Sequence, residues 1–302
     1  MTATCIDADL VLDAQAELGE GPVWDVRAAC LYFVDILKGR VHCYAPATEA
    51  LRTYGVDQSV GALALTDSGD LVLAVRDGFA RLDLRTGRVV MIAEVEPDRP
   101  DLRMNDGKCD RDGRFWAGTM ALDERRGAGT LYRLDPSGRV DAILSGVTIS
   151  NGLDWSDDDR HMYFIDSPTH SVDLFDFDRA NGTISNRRSF AHIPPDQGIP
   201  DGLTLDADGG VWVSLWGGGA VHRYSPDGRL ERIVRLPVTQ PTSCAFGGLD
   251  LGDLYITTAS IGLDPSERNR QPQAGGLFCC RAGTTGRPPH RFAGPSTPLR
   301  AG

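Results

Sequence analysis

Lysine is almost missing from this chain. Of 31 basic residues only Lys38 and Lys108 are lysines, and 42 acidic residues leave a formal charge of −11. No basic stripe offsets that charge, which argues against a nucleic-acid partner. Apolar runs of membrane-spanning length are absent as well, so no membrane partner is expected. The opening segment MTATCIDADLVLDAQ has neither the basic start nor the apolar core of a secretion signal, and a cytoplasmic protein is expected. Seven cysteines are scattered, odd in number and without a CxxC pair, which excludes zinc-cluster spacings and makes a disulfide framework unexpected. The chain lacks HExxH, a GxSxG elbow and a GxGxxG loop ahead of a helix, so zincin, α/β-hydrolase and dinucleotide chemistry have no foothold. DRDG and DADG begin like an EF-hand but lack the rest of its loop, and read as hairpin turns. Long helices are missing too: apolar spacing stays near two, broken by 35 glycines and 18 prolines,.

What the chain does have is a six-fold echo. Apolar runs recur as LYFVD from Leu31, LVLAV from Leu71, FWAGT from Phe115, MYFID from Met162, VWVSL from Val211 and LYITT from Leu254. Each is flanked by polar turns and by further short alternating runs, about four to a unit, as in GALALT, LVLAV, FARLDL and VVMIAEV. Strands bounded by Gly/Asp/Ser turns at a period in the forties specify a β-propeller. Six four-stranded blades fit residues 1–302 as one all-β domain with a central channel. The leftover segment DLVLDAQA is expected to pair near the last blade, closing the ring and covering an open edge.

A propeller brings equivalent positions of distant repeats to one axis. The residue before the glycine that opens each repeat should stand at one mouth of the channel. Those positions are Glu20, Val60, Asp106, Asn151, Asp201 and Thr242 or Ser243. Carboxylate and amide oxygens facing a common axis repel one another unless a cation sits between them. An oxygen-only set favours Ca²⁺, Mg²⁺ or Mn²⁺, and its carboxylates also suit Zn²⁺ or Fe²⁺. The bland alternative is that these Asx side chains only satisfy turn backbone.

Eight segments carry a resemblance that runs in order over almost the whole chain: LGEGPVWD, RMNDGKCD, GRFWAGTM, ISNGLDWS, SVDLFDFD, ISNRRS, IPDGLTLDADG and TSCAFGG. Together they resemble the gluconolactonase family. The resemblance implies a six-bladed propeller that holds one divalent metal and hydrolyses a sugar (aldono) lactone to the aldonic acid. It implies Glu20, Asn151 and Asp201 as metal ligands, with Ca²⁺ or Zn²⁺ expected ahead of Mg²⁺, Mn²⁺ or Fe²⁺. Asp201 is also implied as the catalytic base, and Arg103, Asn105 and Asp123 as substrate-binding residues. One departure stands out: the segment after GTM, ALDERRGAGTLY, is shorter than the family's lid loop.

The chemistry is coherent with these residue types. A cation at three protein oxygens keeps open positions for a carbonyl or a water and stabilises an oxyanion. Arginine presents a fixed fork of donors to hydroxyls or a carboxylate, and asparagine both donates and accepts. Two other readings use the same residues: a calcium-binding regulatory propeller without catalysis, and a metal-dependent esterase or organophosphate hydrolase.

Overall fold

The computed structural model describes residues 3–294. Six sheets stand around one axis as propeller blades, and the fold expected from the repeats is the fold observed. The first blade shows the pattern: Gly19–Asp25, Cys30–Asp35, Arg40–Ala45 and Ala50–Gly55 form an antiparallel meander from the axis outward. The innermost strands of the other five are Val60–Leu65, Leu102–Cys109, Ser150–Trp155, Ile199–Leu205 and Pro241–Gly247. Neighbouring innermost strands touch around the whole ring. They are buried on both faces, so VGALAL at Val60–Leu65 is wholly buried, whereas ALRTYG at Ala50–Gly55 is mostly exposed. That gradient is why the inner runs read as continuous apolar stretches and the outer ones as alternating.

Large side chains wedge between blades. Trp116 of the third blade meets Trp155 of the fourth edge to face at 5.7 Å, and Trp24 of the first stacks on Tyr255 of the sixth at 5.6 Å. Four of the five tryptophans thereby serve the core: Trp24, Trp116, Trp155 and Trp212 are all at most 4% exposed. The DRDG and DADG turns are hairpin turns built on one carboxylate each. Asp110 accepts from the Arg114 amide at 3.0 Å and from Trp116 Nε1 at 2.9 Å. Asp206 repeats this with the Gly210 amide at 2.7 Å and Trp212 Nε1 at 2.9 Å.

The N-terminal segment does close the ring, and does more than expected. Asp9–Leu12 pairs antiparallel with Leu277–Arg281 as the outermost strand of the sixth blade. Just before it, Thr4–Asp7 pairs in parallel with Leu230–Arg235, giving the fifth blade a fifth strand. The described α-helix, Pro265–Arg270, is a six-residue turn held by an Asp264/Glu267 capping box. Among the described residues no helix is long and apolar enough to cross a membrane.

Candidate functional site

Each innermost strand slips register against its neighbour at the same height. The slips fall at Glu20/Val23, Val60/Ala62, Met104/Gly107, Ser150/Leu153, Pro200/Leu203 and Pro241/Ser243. A bulge re-aims side chains out of the alternating pattern. Glu20 stands at the edge of the first of these bulges, and inside three others lie the pair Asn105 and Asp106, Asn151 and Asp201. The bulges need glycine at close quarters: Gly21 has φ +52°, and a Cβ on Gly152 would lie 2.4 Å from the Leu203 amide nitrogen of the next blade.

Glu20, Asp106, Asn151 and Asp201 are each at most 8% exposed. Burial pushes the Glu20 carboxyl well up, and the charges of Asp201 and Asp106 push it further. Asp201 is raised for the same two reasons, burial first and then Asp106, against the Asn151 amide, Arg103 and Glu20, which favour its charge. Asp106 rises to about 6 through burial, with Lys108 and the Gly107 amide pulling the other way. Three buried carboxylates thus sense one another across the channel mouth.

Arg103 is the cation the chain itself supplies. Its Nη1 donates to Asn105 Oδ1 at 2.6 Å and to the Met104 carbonyl at 3.0 Å. Asn105 Nδ2 in turn donates to the Ser150 carbonyl at 2.9 Å, fixing the pair between the third and fourth blades. Burial lowers the Arg103 pKa to about 10, while Glu20, Asp201 and Glu124 hold its charge. Among the described residues no protein acceptor takes a hydrogen bond from Arg103 Nε or Nη2.

Asp123 lies apart from this group. It sits on the exposed loop after Ala121, and Arg125 Nη1 binds its Oδ1 at 3.0 Å. Arg125 also bonds Asp101, whose other partner is Arg99, so the loop is latched to the segment that leads into the third blade. The next residue, Glu124, is the loop carboxylate whose charge reaches Arg103.

Sequence reasoning also passed over the residues that hold the ligand-bearing turns. Asp35 accepts from the Glu17 and Leu18 amides at 2.9 and 3.2 Å, just ahead of Glu20. Asp166 accepts from the Thr148 and Ile149 amides at 3.1 and 2.9 Å, just ahead of Asn151. The signal was present in the aspartate that closes both LYFVD and MYFID. Ser167 was likewise passed over, although its Oγ accepts from Asn151 Nδ2 at 2.8 Å.

That last bond orients the Asn151 amide and leaves its Oδ1 buried without a hydrogen-bond partner. A buried oxygen without a donor is costly, and a cation between it and the carboxylates would satisfy it. Among the described residues no three His, Cys, Asp or Glu side chains gather as a metal site. The donor set here is mixed instead, two carboxylates and an amide, all oxygen, which suits a hard divalent ion. The residues therefore fit such a group.

Comparison with known proteins shows relatives that match over nearly the full length of the chain. Rabbit (Oryctolagus cuniculus) regucalcin is 42% identical over 297 residues, covering 96% of this chain and 99% of its own. "Putative sugar lactone lactonase YvrE" of Bacillus subtilis is 39% identical over 290 residues, covering 96% and 99%. The crystal structure of a calcium-binding protein, regucalcin, from Agrobacterium tumefaciens superposes with a TM-score of 0.93 at 29% identity, over 97% of this chain and 99% of that one. The family described as SMP-30/Gluconolactonase/LRE-like region matches residues 18–260, and with relatives this similar over nearly the full length, the chain belongs to that family.

Proposed function

We propose that this protein is a divalent-metal-dependent lactonase that hydrolyses an aldonolactone to its aldonic acid. The observation that carries the reading is the buried Asn151 Oδ1, left without a partner beside Glu20 and Asp201, with an arginine of unspent donors next to them. Membership of the gluconolactonase family and the lactonase name of the Bacillus relative support the same reaction class.

Glu20, Asn151 and Asp201 would hold the ion, expected to be Ca²⁺ or Zn²⁺. Bound there, a divalent cation polarises the lactone carbonyl and stabilises developing negative charge. Asp201 accepts the proton of the attacking water. A bound cation would hold the Asp201 pKa down, so its action as base rests on its position beside the attacking water more than on its basicity. Arg103, immobilised by Asn105, points its free N–H groups at the substrate hydroxyls or the nascent carboxylate. Both Asn105 side-chain functions are already engaged, so its part is to hold Arg103 and lend its remaining lone pair to a hydroxyl. Asp123 reads a substrate hydroxyl only on release from Arg125, which makes the latched loop the element that limits substrate size.

Acid release from glucono-, galactono-, xylono- and arabinono-lactones, measured with the chelated and the metal-loaded protein, tests the proposal. Metal-dependent acceleration over spontaneous opening is expected on at least one member, with far-UV circular dichroism unchanged by chelation. No acceleration on any member by a metal-loaded protein would leave a metal-binding propeller without this activity.

A further inference from the structure

At the foot of the first blade, at the opposite end of its strands from Glu20, two thiols lie in contact. Cys30 opens the second strand of the blade, paired with Asp25, and Cys43 lies on the third strand opposite Tyr32. Cys30 and Tyr32 point to the same side of their strand, and Cys43 leans across the diagonal so that the two sulfurs are 3.3 Å apart. The other five cysteines are also free thiols, and no thiol pair closer than this occurs among the described residues.

We propose that Cys30 and Cys43 form a peroxide-responsive dithiol, in which Cys43 is the attacking thiol and Cys30 the resolving one. Cys43 sulfur attacks one oxygen of the peroxide, the O–O bond breaks, and water or an alcohol leaves with the thiol proton, giving Cys43 sulfenic acid. Cys30 sulfur then attacks Cys43 sulfur, its proton joins the departing hydroxyl as water, and an S–S bond forms within the blade. Two thiols are oxidised and one peroxide is reduced. A cytosolic thiol reductant returns the pair to its starting state.

The surroundings assign the two roles. The Cys43 pKa is lowered to about 7 by its hydrogen bond with Cys30 and by Tyr32 and Arg52, against burial, which acts the other way. Cys30 is pushed far up by the same hydrogen bond and by burial, so it keeps its proton. Burial raises Cys279 and Cys280 each to about 12, and the thiolate is the reactive form. Cys43 is also the more accessible of the two. Cys43 is half-buried, and its flanking residues Tyr32 and Arg52 line a cleft of about 770 Å³ on the flank of the blades. A contact pair within one hairpin, with a low-pKa member near solvent, is the arrangement of a reversible sensor.

The test uses the full chain, folded and reduced, exposed to hydrogen peroxide. Intact mass should fall by about 2 Da, and peptide mapping under alkylating quench should show a Cys30–Cys43 cross-link that dithiothreitol reverses. Cys43→Ser should abolish the mass loss. Cys30→Ser should instead trap a dimedone adduct on Cys43. In the untreated protein at pH 7, iodoacetamide should label Cys43 at least about tenfold faster than Cys279 or Cys280. No cross-link in the folded protein, a cross-link that forms only in denaturant, or equal labelling of Cys43 and Cys280 would each overturn the proposal.

Discussion

Glu20 and Asp201 are the two proposed ligands able to take a proton, and they differ in how they are held. Glu20 Oε2 accepts a short bond from the Gly21 amide at 2.7 Å, which ties that carboxylate to its own turn, whereas Asp201 is steered by the Asn151 amide and by Arg103. Asp201→Asn keeps an oxygen and the shape but removes the base. Turnover of the responsive lactone should fall by about 10²–10⁴, with metal content measured on the same sample by plasma mass spectrometry. Near-normal turnover in metal-loaded Asp201→Asn would move the base to another group. Arg103→Ala should act differently, because Arg103 donates to the Met104 carbonyl and to Asn105 and is proposed to bind substrate, not the metal. Loss of a charge-assisted hydrogen bond of roughly 1.5–3 kcal/mol predicts about a 10- to 100-fold fall in kcat/KM. Metal affinity, followed by calorimetric titration, should not weaken, since a neighbouring positive charge has been removed. Parallel loss of metal binding would make Arg103 a structural support of the carboxylates instead.

One element does most of the positioning, the bulge in each innermost strand, and its glycine can be tested directly. In Gly152→Ala the added methyl would meet the Leu203 amide nitrogen at 2.4 Å and Leu203 Cγ at 2.8 Å. Backbone of the next blade would have to shift, so a destabilisation of about 1–3 kcal/mol is expected. Gly55→Ala is the control, with nothing within 4 Å of the new atom, and should change stability by less than about 0.5 kcal/mol. Paired urea melts decide the matter, and equal midpoints would show that the blades are not held apart by these glycines. The same glycines explain how much of the site was legible beforehand. A repeated glycine marks the bulge, so the shared position of Glu20, Asp106, Asn151 and Asp201 was readable from spacing, whereas only the resemblance singled out Glu20, Asn151 and Asp201 as ligands. Asp35 and Asp166 were marked only by the aspartate shared by LYFVD and MYFID, and a carboxylate that caps nearby amides looks in sequence like an ordinary strand end, so that signal did not reveal their role. Nor was the division between Asp123 and Glu124 legible. Which of two adjacent exposed loop carboxylates lies where its charge acts on Arg103 depends on backbone angles such as the φ of +55° at Glu124, and no residue type announces it there. The blades themselves followed from alternation, whereas the parallel strand Thr4–Asp7 depends on a partner more than two hundred residues away and carries no local pattern.

At the scale of the whole molecule, the ring is closed by strands at its rim and by a strap across its far mouth. Residues 284–294 run beneath the blades and bond to every one of them. Gly286 donates to the Leu251 carbonyl at 2.8 Å, and Thr284 Oγ1 to Asp208 at 2.8 Å. Arg287 reaches the Trp155 carbonyl at 2.8 Å, and the Ala293 amide donates to the Gly113 carbonyl at 3.0 Å. Arg291 joins Asp25 at 2.5 Å and the Thr66 carbonyl at 2.9 Å, linking the first two blades. Arg287 to His290 also close the channel end over a cavity of about 70 Å³ walled by Lys108 and Asp154. The strap therefore ties the lower turns together while the proposed metal site ties the upper mouth. Removing residues 284–302 would delete several hydrogen bonds of about 1 kcal/mol each and take away Phe292, itself 5% exposed, uncovering the core it packs against,. For a chain of this size each kcal/mol moves Tm by about 2 °C, so a fall on the order of 5–10 °C is expected in the chelated protein. Arg291→Ala, which leaves the strap in place, should lower Tm by about 3–6 °C through loss of its half-buried charge-assisted bonds. Calorimetric scans of both variants with and without metal separate the two closures. If strap and ion act at opposite mouths, the rise in Tm on adding metal should be the same in Arg291→Ala as in the parent chain. A variant that loses the metal increment together with the strap bonds would show that the lower mouth sets the spacing of the ligands above it.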